Sequence, residues 1–143
     1  MKYAYVGEKM NNNIEQSIQN LDLTSVLDRA QAKLGLDGEM AKRAEELYKQ
    51  YLILRARYPE EPLAPPKLAD EIWHYHITDT QKYQQDCEQL FGEFVHHMPA
   101  TGDDKAQMEK LFGKTCELYK KEFGIDLQTE GFASADCSTC RCT

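Results

Sequence analysis

At 143 residues, 41% hydrophobic and 29% charged, the chain fits one folded domain that needs neither disulfides nor a metal as obligatory staples, and it is too apolar for wholesale disorder. Its 17 basic and 24 acidic residues leave a formal charge of -7, which excludes the concentrated positive footprint of a nucleic-acid surface. Met1 to Met10 hold no apolar core of signal-peptide length, and no segment approaches the roughly 20 apolar residues of a membrane span, so a cytoplasmic protein with no membrane partner is expected.

Residues 1–13 read as a flexible lead-in ending in Asn11-Asn12-Asn13, with a helical turn or two available from Ile14 to Leu21. Residues 14–124 read as one helical domain. Its first clear helix carries Leu23, Val26, Leu27, Ala30 and Leu34 at helical spacing, with Thr24 as a candidate N-cap and Gly35 as its stop. A longer amphipathic pattern follows to about Arg57, with Met40, Ala44, Leu47, Tyr48, Tyr51 and Leu54 inward and Lys49 among the outward positions. Four of the five prolines then fall between Pro59 and Pro66. Each fixes its own φ and pushes its predecessor out of the helical region, so this is an ordered extended connector.

A third helix starts near Pro66, with Ala69, Ile72, Trp73 and His76 on one face. Thr78-Asp79-Thr80-Gln81 matches a capping box, which predicts a kink or restart near Ile77. Tyr83, Cys87, Leu90, Phe91 and Phe94 continue the apolar stripe with Lys82 and Asp86 outward, and the helix must end before Pro99. A last helix buries Met108, Leu111, Phe112, Thr115, Leu118, Tyr119 and Phe123 and stops at Gly124. Residues 125–143 form an irregular, Cys-rich tail, with a short strand conceivable between Gly124 and Phe132. The expected fold is mainly α: a compact single-domain helical bundle of four or five helices.

The stretch from Trp73 to Met98 holds the only tryptophan and all four histidines. Residues two apart on a helix point about 200° away from each other, so His74 and His76 cannot bind one ion from a regular turn. A straight helix would also separate His74 from His96 by roughly 33 Å. A shared site therefore needs a break near Thr78 and a reversal after Gly92. His76 reads equally as a ligand or a hydrogen-bonded core histidine, and His74, one turn after Asp70, as a ligand with a carboxylate behind it or as a plain helix pair. His96 and His97 are either ligands or favourable charges at a helix C-terminus, and Cys87 either a ligand or a small buried hydrophobe, as Cys116 is.

Five cysteines cannot all pair within one chain, and a reducing cytosol favours metal or redox chemistry over a disulfide framework. Cys137-Ser138-Thr139-Cys140-Arg141-Cys142 is half of a structural zinc pattern, which a central histidine would complete; the bland alternative is a terminus with reduced thiols. No nucleophile elbow or phosphate-cradling glycine loop occurs, and Glu60-Glu61 and Asp103-Asp104 are explained by solvation and capping.

The run Asp70-Glu71-Ile72-Trp73-His74-Tyr75-His76-Ile77, then Thr80, Tyr83, Asp86-Cys87, Phe91-Gly92 and His96-His97-Met98-Pro99, resembles the glycine-rich domain-containing protein-like family of plant multidomain proteins and short bacterial proteins. Bacterial members of that family end in a cysteine-rich tail, and the resemblance covers roughly Pro62 to Cys140. It implies that His74, His76, Cys87, His96 and His97 act as a set. It implies no particular reaction, and the glycine-rich segment that names the plant proteins is missing from this chain.

The leading functional expectation is a metal-binding protein holding zinc, or otherwise copper or iron, through His74, His76, Cys87, His96 and His97 with Cys137 and Cys140. Two other readings are a helical interaction module with a protein or peptide partner and no metal, and a redox or peptide-processing protein that uses the tail cysteines.

Overall fold

Six helices and no strand make up the described residues, 7–97 and 105–128 of a computed structural model, with side chains described from Asn13 onward. They are α1 (Gly7–Gln19), α2 (Thr24–Leu34), α3 (Gly38–Arg57), α4 (Lys67–Thr78), α5 (Thr80–Phe91) and α6 (Lys105–Phe123). The mainly α expectation holds, while the count exceeds the expected four or five. The turn or two read at Ile14 is a helix that begins at Gly7, inside the expected lead-in, and Ile18 is fully buried on it. No strand forms between Gly124 and Gln128; the rest of that stretch, Cys137, Cys140 and Cys142 lie outside the described residues.

The axis of the fold is α3. Ala44, Leu47, Tyr48, Tyr51, Leu52, Ile53 and Leu54 are buried along it, and such near-continuous burial places a helix inside a bundle rather than on its surface. Asp37 caps it by accepting from the Met40 N–H at 2.7 Å, which satisfies one of the free donors of the first turn. Two fully buried tyrosines tie neighbours to it. Tyr51 donates to the Leu63 carbonyl of the proline connector at 3.0 Å, and Tyr119 of α6 donates to the Leu47 carbonyl at 2.6 Å.

Some positions depart from the amphipathic reading. Met40, expected inward, is 40% exposed on the first turn of α3. Lys49, expected outward, is buried: its ammonium donates to the Gln19 carbonyl at the C-terminal end of α1 and pairs with Glu45 at 3.0 Å. A free carbonyl at a helix end carries partial negative charge, so a lysine stem can cross apolar surface to reach it. Thr24 is the first residue of α2 rather than its cap, and its N–H is taken by Asp22 instead.

Arg57, at the last turn of α3, joins three helices. Its guanidinium pairs with both oxygens of Glu15 on α1, at 2.6 and 2.7 Å, and with Glu122 on α6. A planar fork suits two carboxylates at once where an ammonium would not. The Tyr58 hydroxyl donates to the other Glu122 oxygen, and this bond, followed by the Arg57 charge, holds the Glu122 carboxyl below its ordinary value of 4.5. Arg57→Ala is expected to lower the unfolding free energy by about 1–3 kcal/mol, read from urea denaturation. A depressed carboxyl contributes stability that is lost as pH falls through its folded value, so the gap to wild type should close at pH below 4.5.

Candidate functional site

The break expected near Ile77 is present: α4 ends at Thr78 and α5 begins at Thr80. The capping box is not what makes it. Thr78 donates instead to the Tyr75 carbonyl at 2.9 Å, and no side chain caps α5. Arg29 of α2 clasps the end of α4, donating to the Tyr75 carbonyl at 3.1 Å and to the Thr78 hydroxyl at 3.3 Å. A guanidinium on exposed C-terminal carbonyls is favourable by charge as well as by hydrogen bonding, and it ends α4 there.

Helix α5 has 12 residues, about 18 Å at 1.5 Å per residue. Gly92, in the left-handed conformation at φ 76°, reverses the chain; residues with a Cβ resist that conformation. Residues 93–97 then run back along α5 toward α4 without helical structure. Phe94, expected on the helical stripe, lies on this return and is 43% exposed.

One hydroxyl fixes where the return lands. Tyr83, 1% exposed, accepts the Trp73 indole N–H at 2.8 Å and donates to the Val95 carbonyl at 2.5 Å. Val95 is buried, its neighbour His96 is exposed against Phe94, and His97 turns inward again. Successive side chains of a non-helical, extended run point to opposite sides, so His96 and His97 do not share a face.

His97 reaches α4. Its ring stacks on Trp73, with centroids 4.1 Å apart, and on His74, 4.8 Å apart with planes 20° from parallel. Its Nε2 lies 2.7 Å from Oδ1 of Asp70, and the His74 Nε2 lies 3.9 Å from Oδ2 of the same carboxylate. Asp70 is 2% exposed. Asp70 and His74 share a helix face because they are four residues apart, and His97 joins them from 27 residues away. The three donor atoms lie within 4.8 Å of one another. Ligands bound at about 2.0–2.1 Å on one tetrahedral ion sit roughly 3.3 Å apart; the His97 contact to Oδ1 is shorter than that and the His74 distance to Oδ2 longer, so the three donors would have to shift to share an ion.

The other expected ligands lie elsewhere. His76 points into the core, away from His74 as helix geometry requires, and is 1% exposed. Both of its ring nitrogens are engaged: Nε2 is 2.8 Å from Oδ2 of Asp86, and Nδ1 is 2.7 Å from the Tyr48 hydroxyl. An ionised carboxylate only accepts, so Nε2 carries the proton and Nδ1 accepts from Tyr48, which leaves no lone pair for an ion. Asp86, expected outward, is buried as its partner and pairs also with Lys82 at 3.1 Å. Cys87 is buried beneath Tyr83 and the Val95 N–H, and burial pushes its thiol up from 9.0, keeping it neutral where a ligand must be a thiolate. Cys116 is likewise a half-buried free thiol.

The sequence reading missed Asp70 as a member of the group; its one-turn spacing from His74 pointed only to a supporting role. No local signal paired Asp86 with His76.

Tyr83→Phe removes the hydroxyl but keeps the ring, leaving the buried Trp73 N–H and Val95 carbonyl unpaired. It is expected to cost about 1–3 kcal/mol per orphaned group and to change the Trp73 fluorescence. Burial lowers the His76 pKa from 6.5, against the opposing pull of Asp86. The unfolded chain therefore takes up a proton below pH 6.5 before the folded chain does. His76 contributes stability present above 6.5 and lost as pH falls through its folded value. Urea midpoints should decline across that window, and the His76 ring proton shifts should titrate below 6.5.

The family model described as UCP032817-like matches residues 12–126, which take in α2 to α6 whole and α1 from its residue 12 onward. The chain is 32% identical over 120 residues, 75% of its length, to glycine-rich domain-containing protein 2 of Arabidopsis thaliana. It spans only 15% of that protein. No solved structure matches. The match takes in Asp70, His74, Trp73, Tyr83 and His97 together with the helices that hold them, and the chain belongs to the UCP032817-like family, the glycine-rich domain-containing protein-like proteins.

Proposed function

We propose that the protein binds one transition-metal ion through Asp70, His74 and His97. The observation that carries this reading is the convergence, on a 2% exposed carboxylate, of two imidazoles from separate segments. Two histidines and a carboxylate are a set found where zinc or ferrous iron keeps an open coordination position. Zinc is favoured, iron is the alternative, and the lack of a thiolate among these donors counts against cuprous copper. Such an ion would act as a Lewis acid or activate a water.

A metal bonds in the plane of an imidazole, along its nitrogen lone pair. Two rings stacked 20° from parallel cannot both meet that condition, so His74, the more exposed of the two, turns on binding while His97 stays against Trp73. Free thiols at Cys87 and Cys116 suit a reducing, cytosolic setting, and among the described residues no helix is long and apolar enough to cross a membrane.

A second reading is favoured by one distance. The 2.7 Å contact between His97 and Asp70 is a full hydrogen bond, and with the Trp73 stack it would serve as a latch holding residues 93–97 on α4. The two readings separate by metal analysis of protein purified without an affinity tag, for wild type, Asp70→Asn, His97→Ala and Cys87→Ser. The metal reading expects about one equivalent in wild type and Cys87→Ser and loss in the other two. Less than about a tenth of an equivalent in wild type, where structural zinc normally survives purification, leaves only the latch.

A further inference from the structure

His74 belongs to two features at once. Beside the Asp70 group it lines a cleft of about 530 Å³ between α2 and α4, walled by Arg29 and Lys33 on one side and by Glu71, His74, Tyr75 and Thr78 on the other. The four α4 residues follow i, i+3, i+4 and i+7 spacing, one continuous helix face. Asp70 and Trp73 occupy the neighbouring face, and His74 sits on the border. The volume lies within the range of small-molecule sites, and the faces of Ala32 and Tyr75 give the cleft apolar wall.

The charges along the cleft are not equivalent. The Arg29 guanidinium is committed to the Tyr75 carbonyl and the Thr78 hydroxyl, with Asp79 at 3.9 Å. Lys33 lies one turn further along α2, while Glu71 and His74 lie one turn back along α4. Lys33 and Glu71 both line the cleft, yet neither has an ion-pair partner among the described residues. An uncommitted ammonium in the same cleft as a residue that can hold a divalent ion would, once the ion is bound, make a local positive site on a chain of net charge -7 despite Glu71, and a small anion matches it.

We infer that the cleft binds a small organic carboxylate, with the carboxylate on the Lys33 ammonium and the ion on His74 and the apolar body against Ala32 and Tyr75. This rests on the metal reading above. A carboxylate supplies an oxygen ligand that fills an open position on zinc or iron and accepts from an ammonium at the same time. An apolar body gains burial that acetate does not, and Glu71 opposes the same charge.

The full chain loaded with cobalt(II), whose visible bands respond to its ligands, is titrated with acetate and with benzoate. Benzoate should perturb the bands and bind about tenfold or more tightly than acetate, a difference of about 1.4 kcal/mol. Lys33→Gln should weaken both by about tenfold with cobalt affinity unchanged, and Glu71→Gln should tighten both. Both substitutions are at positions outside the core, so folding is not at stake. Equal binding of the two acids, or no effect of Lys33→Gln, overturns the cleft assignment and leaves the metal reading standing. Failure to take up cobalt overturns both.

Discussion

The Tyr83 hydroxyl is the point on which the site depends. It is buried, accepts from the Trp73 indole and donates to the Val95 carbonyl, so one side chain of α5 joins α4 to the chain that returns past it. In a site closed to water an unpaired indole N–H or carbonyl is expensive. Each of the three groups therefore has one low-energy arrangement, and all three arrangements are the same one. With Val95 held there, the alternation of an extended chain leaves His97 facing Trp73 and Asp70 and leaves His96 outside. Position 97 is thus set by a contact two residues before it and by Gly92, where the chain reverses.

Much of this was legible from spacing alone. The repeat from Ala69 to His76 and the capping-box pattern at Thr78-Asp79-Thr80-Gln81 predicted a break near Ile77, and a rise of about 1.5 Å per residue made a reversal after Gly92 a condition for any shared site, although the apolar stripe was read on through Phe94. The opposed directions of His74 and His76 followed from 3.6 residues per turn. The capping box failed for a reason invisible locally: Arg29, 49 positions from Thr78, supplies the interaction that ends α4. Asp86 and Lys49 were misread for the same cause. A charged residue on an amphipathic helix looks solvated until a partner from another helix is known, and here those partners are His76 and the Gln19 carbonyl.

The fold holds two carboxylate–imidazole pairs, and their difference is instructive. His76 and Asp86 are enclosed, with the second ring nitrogen satisfied by Tyr48 and the carboxylate satisfied again by Lys82. Nothing remains to bind a ligand, and the pair serves to fix α4 against α3 and α5. Asp70 instead serves two imidazoles at unequal distance, one in full hydrogen-bond contact and one at 3.9 Å. The first pair is complete; in the second, His74 stands beyond hydrogen-bond distance of the carboxylate and is the more exposed ring.

That inequality bears on how an ion would be accommodated. His97, packed on Trp73 and 9% exposed at its side chain, and Asp70, at 3%, are held by their surroundings, whereas His74, at 23%, is not. Two of three donors are therefore fixed before binding, and the ordering cost falls mainly on a single histidine ring. An ion on His97 Nε2 would take the place of the hydrogen bond to Asp70 and would select the ring tautomer that carries its proton on Nδ1. The stack on Trp73 needs no ion, so it holds His97 in place whether or not the coordination forms. With two donors held and His74 alone at the edge of the cleft, an ion would be met from the cleft side by one ring only.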